Sequence, residues 1–288
     1  MIDLHNHILY GRDDGAKTLE ESVKMCEISY QDGTRTIVAT PHILPGIYKN
    51  DRSIILSKVA ELNAALAELR GKDVHASTHS RIDASDVRDP IAQFLNDAAR
   101  QGAQSVLGIP HSAFRILPGA DVHFSWDLLE RIKSKEIVTV NDQGRYLMVE
   151  FAFEGIPYQA EEALFQLVTN GIIPIITHPE RNLEIEQRPQ RYYQMIRMGC
   201  LGQVTAMSLT GEFGPEIRKS AERLLSKRLI HIIASDAHSL DGRPPILSAG
   251  VKAAEKIVGK EEARKMVTEY PGAIIQGRPP DVLEPLSP

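Results

Sequence analysis

About seven short apolar runs are spaced along this chain, most of them separated by a stretch with helical patterning, and this alternation constrains the fold more than any other feature. One run leads into His5-Asn6-His7; the others cover residues 36–40, 116–123, 146–151, 172–177, 201–206 and 230–235. Helices are expected over residues 18–32, 51–70, 125–133, 157–170, 190–198 and 215–227, with two short ones between 247 and about 270 and a Pro-rich tail from Gly277. The first helix has a capping box, Thr18 with Glu21, and an apolar stripe of Val23, Cys26 and Tyr30. Gly33, Gly71 and Gly171 stand where helices should stop. Strands alternating with helices imply parallel strands with crossover connections. Runs that are apolar at consecutive positions fit strands buried on both faces. A chain of 288 residues has room for one α/β barrel, which typically takes about 250.

The apolar runs end on polar residues of one chemical kind. His5 and His7 are two apart, so on a strand they share a face. His42, Asp121, Glu150, His178, Asp236 and His238 end or follow later runs, and Asp14 stands in the first loop. In a parallel α/β barrel that end of the strands carries the active site. Five imidazoles and four carboxylates with no thiolate suit manganese, iron or zinc better than calcium or copper(I). Four carboxylates gathered without cations would repel one another. Nine ligands are too many for one ion, so two or three divalent ions with bridging carboxylates are expected. Such a cluster would attract an anion. Arg181, three residues after His178, and Arg243, five after His238, are placed to meet a phosphate, which guanidinium matches bidentately.

Composition excludes several classes. A net charge of −5 argues against a broad nucleic-acid footprint. Cys26 and Cys200 have no C-x-x-C spacing, so neither a disulfide scaffold nor a thiolate zinc site is expected. The Cys-x5-Arg loop of thiol phosphatases is missing, since Asp32 and Ala206 stand six residues after the two cysteines. No basic-then-apolar leader opens the chain, and no apolar run approaches the roughly 20 residues of a membrane span, so the expected location is the cytoplasm. Residues 72–115 follow neither pattern and are expected to be a surface insertion, a lid or an oligomer contact. It would carry a helix over 90–101, with His75, His79 and His111 exposed to solvent.

The stretches MIDLHNH, DDGAKTLEESVKM, GTRTIVATPH, PGADVH, LMVEF, PIITHPER and HIIASDAHSLDGRPP, in this order, resemble the PHP (polymerase and histidinol phosphatase) superfamily. Within it they are most similar to the CpsB/YwqE/CapC type of bacterial tyrosine-protein phosphatase. The resemblance implies a distorted (β/α)7 barrel in one domain, 1–288, interrupted by the insertion. It implies one ion on His5, His7, Asp121 and Asp236, a second on Asp121, Glu150 and His178, and a third on Asp14, His42 and His238. The family often has glutamate where this chain has the shorter Asp121. The implied reaction is attack of metal-activated water on phosphorus, with Arg181 and Arg243 steadying the phosphoryl oxygens. Asp14 or His42 would pass a proton to the phenolate through water. The implied partner is a phosphotyrosine protein, the tail of a bacterial tyrosine kinase in capsule or exopolysaccharide biosynthesis. Three other readings stay open. They are a small-molecule phosphatase acting on a substrate such as histidinol phosphate, a metal-dependent amidohydrolase, and a metal-stabilised binding module.

Overall fold

The computed structural model describes residues 1–73 and 114–288. Its strands are β1 (Ile2–Asn6), β2 (Thr36–Ala39), β3 (His42–Ile43), β4 (Arg115–Pro118), β5 (Asp121–His123), β6 (Tyr146–Glu150), β7 (Ile173–Thr177), β8 (Leu201–Thr205) and β9 (Ile232–Ala234). They form two sheets, ordered β1-β2-β4 and β3-β5-β6-β7-β8-β9. Every pairing is parallel, as the alternation with helices requires.

Two differences from expectation share one cause. The described residues contain nine strands rather than seven, because a short strand resumes past the end of the expected 36–40 strand and the expected 116–123 strand is split in two. Between β2 and β3 stands Pro41, which has no amide hydrogen for a ladder. Between β4 and β5 stands Gly119, where a Cβ would lie 2.5 Å from the Val38 side chain. The ladder therefore breaks at the same level in two neighbouring strands and leaves two sheets. They do not close through a continuous ladder. Opposite the break, one parallel bridge joins Asn6 and Ala237, flanked by the His7 amide to Ala237 O (2.9 Å) and the Asp236 amide to His5 O (2.8 Å).

The helices fall close to where patterning placed them. The first, α1 (Leu19–Gln31), is capped by the Thr18 hydroxyl accepting from the Glu21 amide, while the Glu21 carboxylate accepts from the Lys17 amide. The second, α2 (Arg52–Asp73), runs through Gly71 instead of stopping there. Short helices Leu183–Gln187 and Ala206–Thr210 were not expected, and three helices rather than two follow residue 247: Ser248–Val258, Lys260–Lys265 and Glu269–Ile274. The 90–101 helix and His75, His79 and His111 lie outside the described residues.

The strands are buried on both faces. Leu147, Val149, Ile176, Val204 and Ile233 pack in the main core, together with Leu164, Leu167, Leu224 and Leu225 of the helices. The other face builds a second cluster from Leu4, Val38, Tyr146, Met148, Ile175, Leu201 and Ile232. Successive residues on one strand face are two apart. Two or four positions beyond this apolar layer, the same faces carry Glu150, Thr177, Gln203 and Asp236. The strand period thus stacks a polar layer on an apolar floor at the carboxyl end. In β1 a register irregularity between Asp3 and Asn6 coincides with a change of phase, from Ile2 and Leu4 at the floor to His5 and His7 in the polar layer. Such bulges are common where a strand must re-aim side chains at a site.

Candidate metal centre

The polar layer gathers the strand-end residues named from the sequence. His5 Nε2 lies 3.0 Å from His7 Nε2 and 3.5 Å from both Asp121 Oδ2 and Asp236 Oδ1. His42 Nδ1 is 3.5 Å from Asp121 Oδ2 and 3.4 Å from Glu150 Oε2, and its Nε2 is 3.7 Å from Asp14 Oδ1. His178 Nε2 is 3.4 Å from Glu150 Oε1 and 4.0 Å from Asp121 Oδ2. His238 Nε2 is 3.6 Å from Asp14 Oδ1. Three groups have ligand atoms within 4.8 Å of one another: His5, His7 and Asp121; His42, Asp121 and Glu150; and His7, Asp14, His42 and His238. The grouping departs from the three sets implied by the resemblance: Asp236 and His178 fall in none of the three groups, and two residues besides Asp121 are shared. His7 belongs to the first and third groups, and His42 to the second and third.

Two carboxylates act as joints. Asp121 Oδ1 accepts from the Thr177 hydroxyl (3.1 Å), while its buried Oδ2 has no hydrogen-bond partner and faces His5 and His42. The shorter aspartate therefore still reaches both neighbouring groups. Asp236 Oδ1 faces His5, His7 and His238, and its Oδ2 takes Arg181 and Arg243, the latter at 2.5 Å. Asp236 is where the imidazole cluster meets the two guanidinium groups. Arg181 also donates to Thr205 Oγ1 (2.5 Å), and the buried Glu180 lies 3.8 Å from its Nε.

Supporting residues hold the imidazoles from behind. Gln203 Oε1 is 2.9 Å from His5 Nδ1. Asp13 Oδ2 is 2.7 Å from His7 Nδ1 and accepts the His42 amide at 2.9 Å, while Asp13 Oδ1 accepts the Gly15 amide. These are the roles outer carboxylates and amides play toward metal-bound histidine, fixing tautomer and ring angle. Gly15 makes the loop possible, because a Cβ there would lie 2.1 Å from His7 O. His123, two residues beyond Asp121, stands 3.8 Å from Glu150 Oε2. His178 (φ 33°) and Asp236 (φ 51°) both sit in the left-handed region, strain of the kind that concentrates at functional sites.

Burial and charge divide the ionisable groups of the cluster. Burial pushes His5 down to about 3, and pushes His238 down to about 2 with help from His7. Burial would lower His7 as well, but Asp13 and Asp236 outweigh it and hold His7 at about 10. Burial, reinforced by Glu150, raises the Asp121 carboxyl well above its usual range. Against burial, Arg181 and His5 hold Asp236 well below it. Burying an ion costs several kcal/mol, more than the about 1.5–3 kcal/mol that one fully buried aliphatic side chain contributes. The fold bears that cost several times in one pocket. An unpartnered buried carboxylate oxygen surrounded by ring nitrogens fits a divalent cation. So does the 3.0 Å separation of the His5 and His7 nitrogens, which matches two ligands on bonds of about 2.1 Å at roughly a right angle. A cleft of about 570 Å³ opens beside Asp14, His238 and Arg243. Cys26 and Cys200 are buried, and burial pushes the Cys200 thiol up to about 12.

Comparison with known proteins agrees in sequence and in fold. A tyrosine-protein phosphatase, YwqE, from Bacillus subtilis is 30% identical over 261 residues, covering 91% of this chain and 86% of that protein. The tyrosine-protein phosphatase CpsB from Streptococcus pneumoniae is 30% identical over 280 residues, covering 96% of this chain and 98% of the relative. A chain from the crystal structures of YwqE and CpsB, which are metal-dependent tyrosine phosphatases, superposes with a TM-score of 0.80 at 28% identity, covering 100% of this chain and 99% of the other. The family model for capsular polysaccharide synthesis proteins CpsB/CapC matches residues 1–78 and 97–276, leaving 79–96 between the two matched stretches. On that match, and on relatives aligned along almost its whole length, this chain belongs to the CpsB/CapC family.

Proposed function

We propose that the chain is a metal-dependent protein-tyrosine phosphatase of capsule or exopolysaccharide synthesis, acting in the cytoplasm on the phosphotyrosine tail of a bacterial tyrosine kinase. One observation carries the reading: Asp236 presents one oxygen to three candidate ligand imidazoles and the other to two arginines, which joins a cation cluster to an anion site. The relatives' activity supplies the substrate class. No helix among the described residues is long and apolar enough to cross a membrane.

In this reading the nine residues His5, His7, Asp14, His42, Asp121, Glu150, His178, Asp236 and His238 hold two or three divalent ions, manganese before iron or zinc. Divalent cations held there supply the Lewis acidity that polarises a phosphoryl oxygen and acidifies water. Arg181 and Arg243 bind and orient the phosphoryl group, their forks aimed by Asp236 Oδ2. Asp121, whose Oδ2 lies 3.5 Å from both His5 and His42, would be the ligand common to the first two groups. Asp14 is half-exposed at the rim beside His42 and His238, so it or His42 can pass a proton outward to the departing phenolate through water. A tyrosine phenolate, with a solution pKa of about 10, needs less of that help than an alkoxide. The architecture is a distorted (β/α)7 barrel in one domain. β2 with β3 and β4 with β5 count as single broken strands, and the Asn6–Ala237 bridge marks the seam.

The test compares kcat/KM of the purified, metal-loaded protein on a phosphotyrosine peptide and on histidinol phosphate. The peptide should be preferred by orders of magnitude. Preference for histidinol phosphate would replace this reading with a small-molecule phosphatase.

A further inference from the structure

Three aromatic rings border the centre, and they are not equivalent. Tyr48 lies nearly parallel to the His42 ring, 5.8 Å between centroids at 12°. Phe213 is covered by guanidinium groups, with Arg181 4.6 Å and Arg243 5.9 Å from its centroid. Phe153 differs from both. Its ring centroid is 5.8 Å from that of His178, yet the residue is 50% exposed. Trp126 and Tyr158 are also exposed, but among the described residues no ring contact joins either to a candidate ligand.

The exposure of Phe153 is not that of a loose loop. Its carbonyl accepts from the Leu183 amide (2.8 Å), and the preceding Ala152 carbonyl accepts from Asn182 Nδ2 (2.8 Å). Three residues on, the Ile156 amide donates to Glu184 Oε2 (2.9 Å). The loop after β6 is tied to the turn after β7, the turn that carries Arg181. The backbone that carries the ring is thus tied in place, and the ring stands half in water beside the candidate ligand His178. A single exposed apolar side chain is ordinary on a protein surface; this one is set apart by its ring contact with a candidate ligand and by its tied backbone.

We propose that Phe153 is the wall against which the substrate's phenyl ring packs, and so a specificity-determining residue for aryl over alkyl phosphates. The proposal rests on the phosphatase reading above. The chemistry of the ester identifies the occupant. In phosphotyrosine the ring begins one oxygen away from phosphorus, so a phosphate bound at the centre leaves the ring standing immediately beside the ligands, of which His178 is the one Phe153 touches. In phosphoserine that place holds a single methylene. Offset-stacked or edge-to-face rings gain beyond their buried area. Such packing persists from bound substrate to transition state, so it lowers KM and leaves kcat alone.

The test measures calorimetric affinity of the metal-loaded protein for phenylphosphonate and methylphosphonate, in wild type, Phe153→Leu and Phe153→Ala, with metal content and thermal midpoint measured alongside. Wild type should bind phenylphosphonate more tightly. Phe153→Ala should weaken phenylphosphonate about five- to tenfold, leave methylphosphonate within about twofold, and raise KM but not kcat for phenyl phosphate. Phe153→Leu should fall between. Equal loss for both phosphonates, no loss for either, or a wild type that does not discriminate between them would overturn the proposal. Intact phosphonate discrimination in a protein that turns over no phosphate ester would instead sink the phosphatase reading and leave the ring wall standing.

Discussion

Replacing Asp13 by asparagine tests the least obvious part of the site. Asp13 is not placed among the ligands. Its Oδ2 sits 2.7 Å from His7 Nδ1 and accepts the His42 amide, and its Oδ1 accepts the Gly15 amide. Asp13 thereby aims one imidazole, fixes the strand-end backbone of a second, and closes the loop that carries Asp14. Asparagine keeps the shape but removes the charge, and its amide nitrogen must face one backbone N–H. In the metal-loaded protein, where His7 is neutral, the folding cost is about 1 kcal/mol, one net hydrogen bond. Loss of an outer partner of a ligating histidine costs about 10–100-fold in metal affinity or activity, which is about 1.4–2.7 kcal/mol. The functional effect should therefore exceed the effect on stability. Asp13→Ala reverses the balance, since it strands up to three buried or half-buried donors at about 1–3 kcal/mol each. Competition with a metallochromic chelator gives the metal affinity, phosphotyrosine-peptide turnover gives kcat/KM, and thermal melting separates folding from function. If Asp13→Asn binds metal and turns over substrate within twofold of wild type, His7 does not depend on Asp13 and the description of the site fails.

Other predictions follow from the same geometry. Arg181→Ala should lower kcat by about 10²–10³-fold, the usual cost of losing a preorganised donor, and Arg181→Lys should not restore it because an ammonium lacks the fork. Arg243→Ala should cost less, since Arg243 is 27% exposed against 10% for Arg181; steady-state kinetics on one peptide ranks the three. Metal loading near neutral pH should release protons. Burial disfavours a charged His7, but Asp13 outweighs it and holds the ring protonated at about 10, and burial with Glu150 raises the Asp121 carboxyl above its usual range. Ligation requires both groups deprotonated, so metal affinity should fall as pH is lowered. Titration calorimetry in two buffers of different ionisation enthalpy counts the protons, and a count of zero would contradict the assignment.

Much of the site could be read from sequence because of where parallel strands end. A strand's carboxyl end is visible as the point where an apolar run stops, so His42, Glu150, His178 and Asp236 stood out. The pattern cannot tell how deep a side chain sits. Asp13 and Asp14 are adjacent and chemically identical, yet one backs His7 and the other reaches the rim. The sharing of His7 and His42 between groups is a matter of three-dimensional placement, and His7 follows the β1 irregularity, which no hydrophobic pattern signals. The breaks at Pro41 and Gly119 turned an expected seven strands into nine. The helix stop at Gly71 failed for a simpler reason: glycine within a helix costs only about 1 kcal/mol, and α2 continues past it. Phe153 and Gln203 gave no signal, because a phenylalanine in a loop and a glutamine in a strand are ordinary until their neighbours are known.

The central claim is that the gathered imidazoles and carboxylates work through bound cations. The direct measurement is phosphotyrosine-peptide turnover after exhaustive chelation, after readdition of manganese, iron or zinc, and separately after thiol alkylation. Turnover should vanish on chelation, return with at least one of the three ions, and survive alkylation, since both cysteines are buried. Full turnover by the metal-stripped protein, or loss on alkylation alone, would contradict it.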